Sequence, residues 1–417
     1  MSEELVAAEY PAVAGELADA ADQFLQSKAK GSGGNYHRNC ARALRVFFEY
    51  LDRQERHPPE APDQLEAQHF RRFARYLAVE DWLDAEDAPL GRDGTSLTKP
   101  ISASTKRTYY SMVSAWCGWC VREGLLPTHF AIREAAREPL PDGADASVRD
   151  QQTWSQDQRY TITRYTDHVV NQALDDANRA GDAVKELRDR AFVYVLAYTG
   201  VRGGEVLRDP NDESRDGLRW GDVNLEQEVI WVVPKKRGSN IDDRPLTPKP
   251  VPALERLRAA MDPGEDWPVF PSLAWRLLYK RLREGAPAGL SEQAVEDRLD
   301  DADGRAALFD LFCEWDVTPP AMNTTSGRNV MKRLCTELNE DTDFEGELDF
   351  TGSKHDYLAP HGARRGVGKV LVKQRGYDRA AEQLDNTPSV VQEHYSHIKA
   401  PERSADVGAA FDEEDDR

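Results

Sequence analysis

LRWGDVNLEQEVIWVVPKKRGSNIDDRPL, residues 218–246, carries the β signal that decides the fold class. Val229 to Val233 is a run of β-branched and aromatic residues, and a second strand pattern lies around Pro245 and Leu246. Two such runs joined by a polar turn read as a hairpin, the nucleus of a small sheet. The sequence on either side is helical. Leu187 to Tyr198 is an apolar helix closed by Gly200, and Val201 to Leu207 begins another. Residues 285–357 show helical patches broken by Pro319, Pro320 and acidic loops. No internal repeat is visible.

Upstream, residues 15–138 read as helical. Leu44, Phe47, Phe48 and Leu51 recur at helix spacing, as do Phe70, Phe73 and Leu77. A loop rich in Asp, Gly and Pro, from about Asp84 to Pro100, precedes a helix at Ser104 to Glu123 opened by good capping residues. Its polar side includes Lys106, Arg107 and Tyr110. Basic and aromatic residues interleaved on one face suit a DNA backbone, and a solvated helix face looks the same. From Glu138 to Thr153 the composition turns to that of a linker. The expected organisation is a tail at 1–14, a helical domain at 15–138, a linker at 139–153, an α+β domain at 154–410 and an acidic tail at 411–417. The fold class is mainly α with a small antiparallel β-sheet.

At 417 residues the chain is too long for one ordinary core. It has no apolar run long enough to span a membrane, and MSEELVAAEY is acidic where a secretory leader would be basic, so a cytoplasmic location is expected. Cys117 and Cys120 form a CxxC between Trp116 and Trp119, but no second pair stands at zinc spacing. Helix packing is the better reading, with no metal site. The net charge of -20 argues at first sight against a nucleic-acid partner. Acidic clusters such as Asp412 to Asp416 stand apart from the Arg-rich segments, however, so a basic cleft fits within an acidic exterior. Arg outnumbers Lys, a combination with the acidic surface that suits a very salty cytoplasm; a plain acidic protein is the other reading.

Four separate stretches carry reactive side chains. Tyr198-Thr-Gly-Val-Arg-Gly-Gly-Glu205 puts Arg202 just after a helix-ending Gly, with Glu205 three residues further on the same helical face to orient its guanidinium. The turn Pro234-Lys235-Lys236-Arg237-Gly238 puts cations at a hairpin tip, where a Lys can deliver a proton, although such a tip is also an ordinary solvated turn. Pro360 suits a helix start, and His361 and Arg364 at i and i+3 share a face and can meet one phosphate. Tyr395 follows downstream. A Tyr hydroxyl is a poor nucleophile at neutral pH and a phosphodiester repels attack, so this chemistry needs guanidiniums on the phosphoryl oxygens.

In this order the pieces resemble the tyrosine recombinase (phage integrase) family over most of the chain. TGVRGGEV resembles its first arginine box, LRWGDVNLEQEVIWV its small sheet, HGARR its second box, and Val391 to His397 its tyrosine box. The helical N-terminal region resembles, less specifically, its core-binding domain. The resemblance implies that Tyr395 attacks the scissile phosphate to form a 3′-phosphotyrosyl bond. Arg202 and Arg364 would clamp the nonbridging oxygens and His361 would serve in acid-base work. Lys235 best matches the Lys that protonates the leaving hydroxyl, with Lys236 the fallback. It implies no cofactor, a double-stranded DNA partner with a specific attachment site, a homotetramer on paired sites, possible accessory DNA-bending proteins and a nucleoid-associated location.

Two positions depart from the family pattern. Leu384-Asp385-Asn386 stands where Leu-Gly-His is usual, so Asn386 takes the His/Trp place; its amide donates a hydrogen bond but cannot change charge. Arg365 stands where a second His is common, and reads as a supporting, DNA-facing or packing residue. A monomeric type IB topoisomerase and a noncatalytic DNA-binding relative are the rival readings.

Overall fold

The computed structural model describes residues 15–28, 34–55, 57–78, 102–141, 152–212, 214–233, 241–351, 353 and 355–395. The chain separates into two compact units, 1–147 with 211–213, and 148–210 with 214–417.

Among its described residues the first unit contains helices, connected by turns and loops, and no strand. Its main helices are α1 (Glu16–Lys28), α2 (Gly34–Gln54), α3 (Ala67–Ala78) and α4 (Ala103–Arg122), followed by the single turn α5 (Glu134–Arg137). The apolar residues at helix spacing converge on Phe47, which stacks on Phe70 at 5.6 Å and meets Phe73 edge-on at 4.9 Å. Trp116 of α4 closes the same cluster. Ser102 caps α4 by accepting from the Thr105 N–H at 3.2 Å. Cys117 and Cys120 are buried, free thiols whose pKa burial pushes up, that of Cys120 to about 12.

The polar side expected on α4 is corrected by this packing. Lys106 lies on the same stripe as Tyr110, Val113 and Cys117, at i, i+4, i+7 and i+11, and that stripe faces the core. Tyr110 is buried and its hydroxyl donates to the Ala131 carbonyl at 2.9 Å, while Lys106 is only 5% exposed. Arg107 is half-buried and its Nε donates to the Pro141 carbonyl at 2.8 Å. These three side chains do not form an exposed basic-aromatic face.

In the second unit, α6 (Gln156–Asp175) pairs with α7 (Val184–Thr199). The latter is buried through Leu187, Ala191, Phe192, Val195 and Leu196: its first turns carry Lys185, Glu186, Arg188, Asp189 and Arg190, and from Ala191 on its sequence is apolar, as a buried helix requires. It ends at Gly200, whose φ of 76° is left-handed; a Cβ there would sit 3.0 Å from Leu384 Cδ2 and 3.1 Å from Val367 Cγ1. Glycine is needed both for the turn and for the close approach. A single turn, α8 (Gly203–Val206), follows.

The sheet is three-stranded and antiparallel in the order β1 (Val223–Asn224), β2 (Val229–Val232), β3 (Asp242–Pro245). In β2, Ile230 and Val232 turn inward, and the β2–β3 register pairs Ile230 with Arg244 and Val232 with Asp242. Helices α9 (Val251–Met261), α10 (Trp275–Gly285), α11 (Glu292–Asp300), α12 (Gly304–Glu314) and α13 (Thr324–Glu340) complete the larger core. Then α14 (Pro360–Gln383) opens with Pro at its first turn and is interrupted at Gly376 (φ 84°, ψ 179°). It packs on α7 and on α15 (Pro388–Tyr395), which share a small core of Val372, Ala380, Ala381, Leu384, Val391 and Tyr395. Among the described residues no helix is long and apolar enough to cross a membrane.

Candidate active site

Arg202 is the residue before α8 and not part of it, with extended backbone at φ -78°, ψ 140°. Its conformation is set by Glu205, whose two carboxylate oxygens accept the Arg202 backbone N–H and Nη1, each at 2.7 Å. The Glu205 side chain is fully enclosed, so the capping bond and the ion pair act together in a low-dielectric setting. Glu205 reaches Arg202 by folding back from the first helical turn, not by sharing a helical face with it.

Arg364 stands in the second turn of α14 and is 4% exposed. Its Nη1 donates to the Gly200 carbonyl at 2.7 Å and its Nη2 to the Leu384 carbonyl, so one guanidinium joins the end of α7 to the end of α14. Burial, then the neighbouring Arg202 and Arg244, hold its pKa down at about 10, opposed by Glu205 and Tyr395. It remains a cation at neutral pH. Arg365 is half-buried and donates to the Gln152 carbonyl at 3.1 Å.

The Tyr395 ring is 8% exposed. Its hydroxyl lies over Gly368, where a Cβ would overlap it and stand 2.7 Å from Cζ. Burial pushes the phenol pKa up, and the positive charges of Arg364 and Arg365 pull it back. Arg202, Arg364, Arg365 and Tyr395 are therefore brought into one electrostatic neighbourhood. His361 is exposed in the first turn of α14, while Arg364 three residues on is interior. Asn386 is half-buried, its backbone N–H donates to the Ala381 carbonyl at 3.0 Å, and it lines a polar cleft of ≈ 780 Å³. Lys235, Lys236 and Arg237 lie outside the described residues.

Two charged residues that motif reading passed over complete the group. Arg244 of β3 is buried and its Nη1 donates to Asp242 at 2.9 Å and to the Asp243 carbonyl at 2.7 Å. Asp385, at a left-handed φ of 45°, places Oδ2 3.2 Å from Arg244 Nη2 and 3.7 Å from Arg202 Nη1. The one sequence signal for Arg244 was its parity: it falls on the inward register of a strand, where a charge has to be accommodated. For the metal question, no group of three or more His, Cys, Asp or Glu among the described residues is arranged to hold an ion. The arrangement brings three guanidiniums, Arg202, Arg244 and Arg364, together with a largely buried phenol.

No family model and no curated protein matches the chain. Among solved structures it is similar to the Tn1549 transposon integrase in complex with circular intermediate DNA, at 12% identity over 94% of this chain and 99% of that one, TM-score 0.49. It is also similar to a lambda integrase dimer bound to a COC′ core site (12% identity, 90% and 94% covered, TM-score 0.44) and to XerA recombinase (14% identity, 90% and 92% covered, TM-score 0.32).

Proposed function

We propose that this protein is a site-specific DNA recombinase that breaks and rejoins strands through a 3′-phosphotyrosyl intermediate. The observation that carries the reading is the convergence of Arg202 and Arg364, from chain segments 162 residues apart, near the largely buried Tyr395 side chain. Guanidiniums are the groups suited to gripping phosphoryl oxygens, and Arg364, with Arg365, also offsets part of the rise that burial imposes on the Tyr395 phenol pKa.

In the proposed step the Tyr395 oxygen attacks phosphorus and loses its proton, and the bond from phosphorus to the 5′ oxygen breaks. Arg202 and Arg364 stabilise the charge that develops on the nonbridging oxygens, and Glu205 keeps Arg202 aimed. His361 takes part in proton transfer near the nucleophile from its place at the α14 start, and Lys235, or Lys236, protonates the departing 5′ oxygen. Asn386 donates a hydrogen bond to the phosphate without changing charge. One ester replaces another, so the reaction needs no nucleotide or metal. Rejoining is the reverse attack by a 5′ hydroxyl of the partner strand.

The partner in this reading is a specific attachment site in duplex DNA, engaged by a homotetramer on paired sites, with or without accessory DNA-bending proteins, inside the cytoplasm and at the nucleoid. Residues 15–138 and residues 154–410 would act as core-binding and catalytic domains joined by the linker at 139–153. The acidic, Arg-rich composition suits a halophilic host, and the integrase reading a mobile element. The test is a nicked suicide substrate carrying a candidate site taken from DNA flanking the gene. A covalent protein–DNA adduct formed by the wild type and lost in Tyr395→Phe is the expected result; specific binding with no adduct would establish the noncatalytic relative instead.

A further inference from the structure

The inward face of the small sheet carries a charge. Arg244 pairs across the sheet with Ile230, and both are buried, Arg244 at 5% exposure. Its Nη1 is used by Asp242 and the Asp243 carbonyl, but Nε and Nη2 make no hydrogen bond. Asp385, 3.2 Å from Nη2, compensates the charge without satisfying the donors. A guanidinium withdrawn this far from water with donors idle is costly, unless an acceptor arrives that uses them.

Asp385 shows the complementary oddity. It follows Leu384 at the end of α14 in a left-handed conformation that costs an ordinary L residue about 1 kcal/mol and is usually given to Gly or Asn. Its carboxylate faces Arg244 and Arg202 at once. Neither cation depends on it for orientation, because Glu205 holds Arg202 and Asp242 holds Arg244. What Asp385 adds is negative charge at the point where two guanidiniums converge. The cleft beside it is also lined by Asn386, Arg375 and Arg379.

We propose that Arg244 is a third phosphate-binding guanidinium of this site, and that Asp385 is a resident carboxylate occupying the anion position until a DNA phosphate displaces it. This deepens the recombinase reading and rests on it. Displacement exchanges one negative charge for another within the cluster, so the guanidiniums stay compensated in both states. The released carboxylate turns to solvent and takes up a cation, which offsets part of the counterion release that accompanies DNA binding.

The test is fluorescence anisotropy of the full chain with a random-sequence duplex of about 30 base pairs, titrated across salt. Asp385→Asn and Asp385→Gly both suit the left-handed backbone; each is expected to bind about ten-fold more tightly, with a log–log salt slope steeper by about one. Arg244→Gln is expected to bind more weakly with a slope shallower by about one, and Arg244→Lys to restore the slope. If Asp385 merely orients its neighbours, its variants bind more weakly. That result, an unchanged slope in Arg244→Gln, or no binding by the wild type overturns the proposal. Covalent adduct formation is scored separately. Should the wild type form none, the recombinase reading fails while the displacement result stands on its own.

Discussion

Glu205 shows how much of the site rests on a single carboxylate. It accepts the Arg202 backbone N–H and pairs with the guanidinium from a fully enclosed position, and its charge also supports the neighbouring Arg364. Glu205→Gln keeps the shape and one acceptor oxygen, and removes the charge and one of the two bonds accepted from Arg202. Leaving a partly buried guanidinium cluster undercompensated is expected to cost about 3 kcal/mol in urea unfolding and to slow adduct formation by at least about ten-fold. Unchanged stability would show that the pair is solvent-screened and that Glu205 is only a cap. At this scale the sequence was informative about Arg202, Glu205, Arg364 and Tyr395 because each sits in a recognisable local pattern. Arg244 and Asp385 have no local pattern. Their meaning arises only when a strand's inward register and a helix end meet in space, 141 residues apart in the chain.

The element that organises the site is the end of α7. Gly200 turns the chain left-handed, presents its carbonyl to Arg364, and lets Val367 and Leu384 approach within van der Waals range. Gly200→Ala therefore meets two costs, the backbone conformation and the crowding. Gly304, with φ 84° and nothing within 4 Å of a Cβ, meets only the first. Gly304→Ala is expected to cost about 1 kcal/mol and Gly200→Ala about 2–3 kcal/mol, compared by denaturant midpoint. Equal costs would mean that the α7–α14 contact yields freely and does not fix Arg364. Elements of this kind were legible in advance: Gly200 closes α7 as its position after an apolar run requires, and Val229 to Val232 pair with Asp242 to Pro245. The division of residues 285–357 into three helices was not, although Ser291 and Asn323 cap two of them. Their short apolar stretches acquire a direction only from the core on which they pack. The face of α4 was misjudged for the same reason, since a Lys and a Tyr on a helix do not announce which side the core will take.

Over the whole molecule, the net charge of -20 and the cationic cluster respond to salt in opposite directions. Surface carboxylates repel one another through solvent, and added salt screens that repulsion, the Debye length falling from about 10 Å at 0.1 M to about 3 Å at 1 M. The ion pairs of Arg202 and Arg244 beside the buried Arg364 are largely enclosed and are screened far less. Salt should thus stabilise the fold while weakening its hold on DNA phosphates. The melting temperature is expected to rise by about 5 °C or more between about 0.1 M and 1 M KCl, as the affinity for random duplex DNA falls. A flat or falling melting temperature would show that the acidic residues are already neutralised by their own Arg partners, and would remove the physical basis for placing this chain in a high-salt cytoplasm. If instead stability rises and DNA binding persists near 1 M, the grip on DNA must come from short, enclosed guanidinium–phosphate hydrogen bonds more than from counterion release, as a third buried arginine would supply.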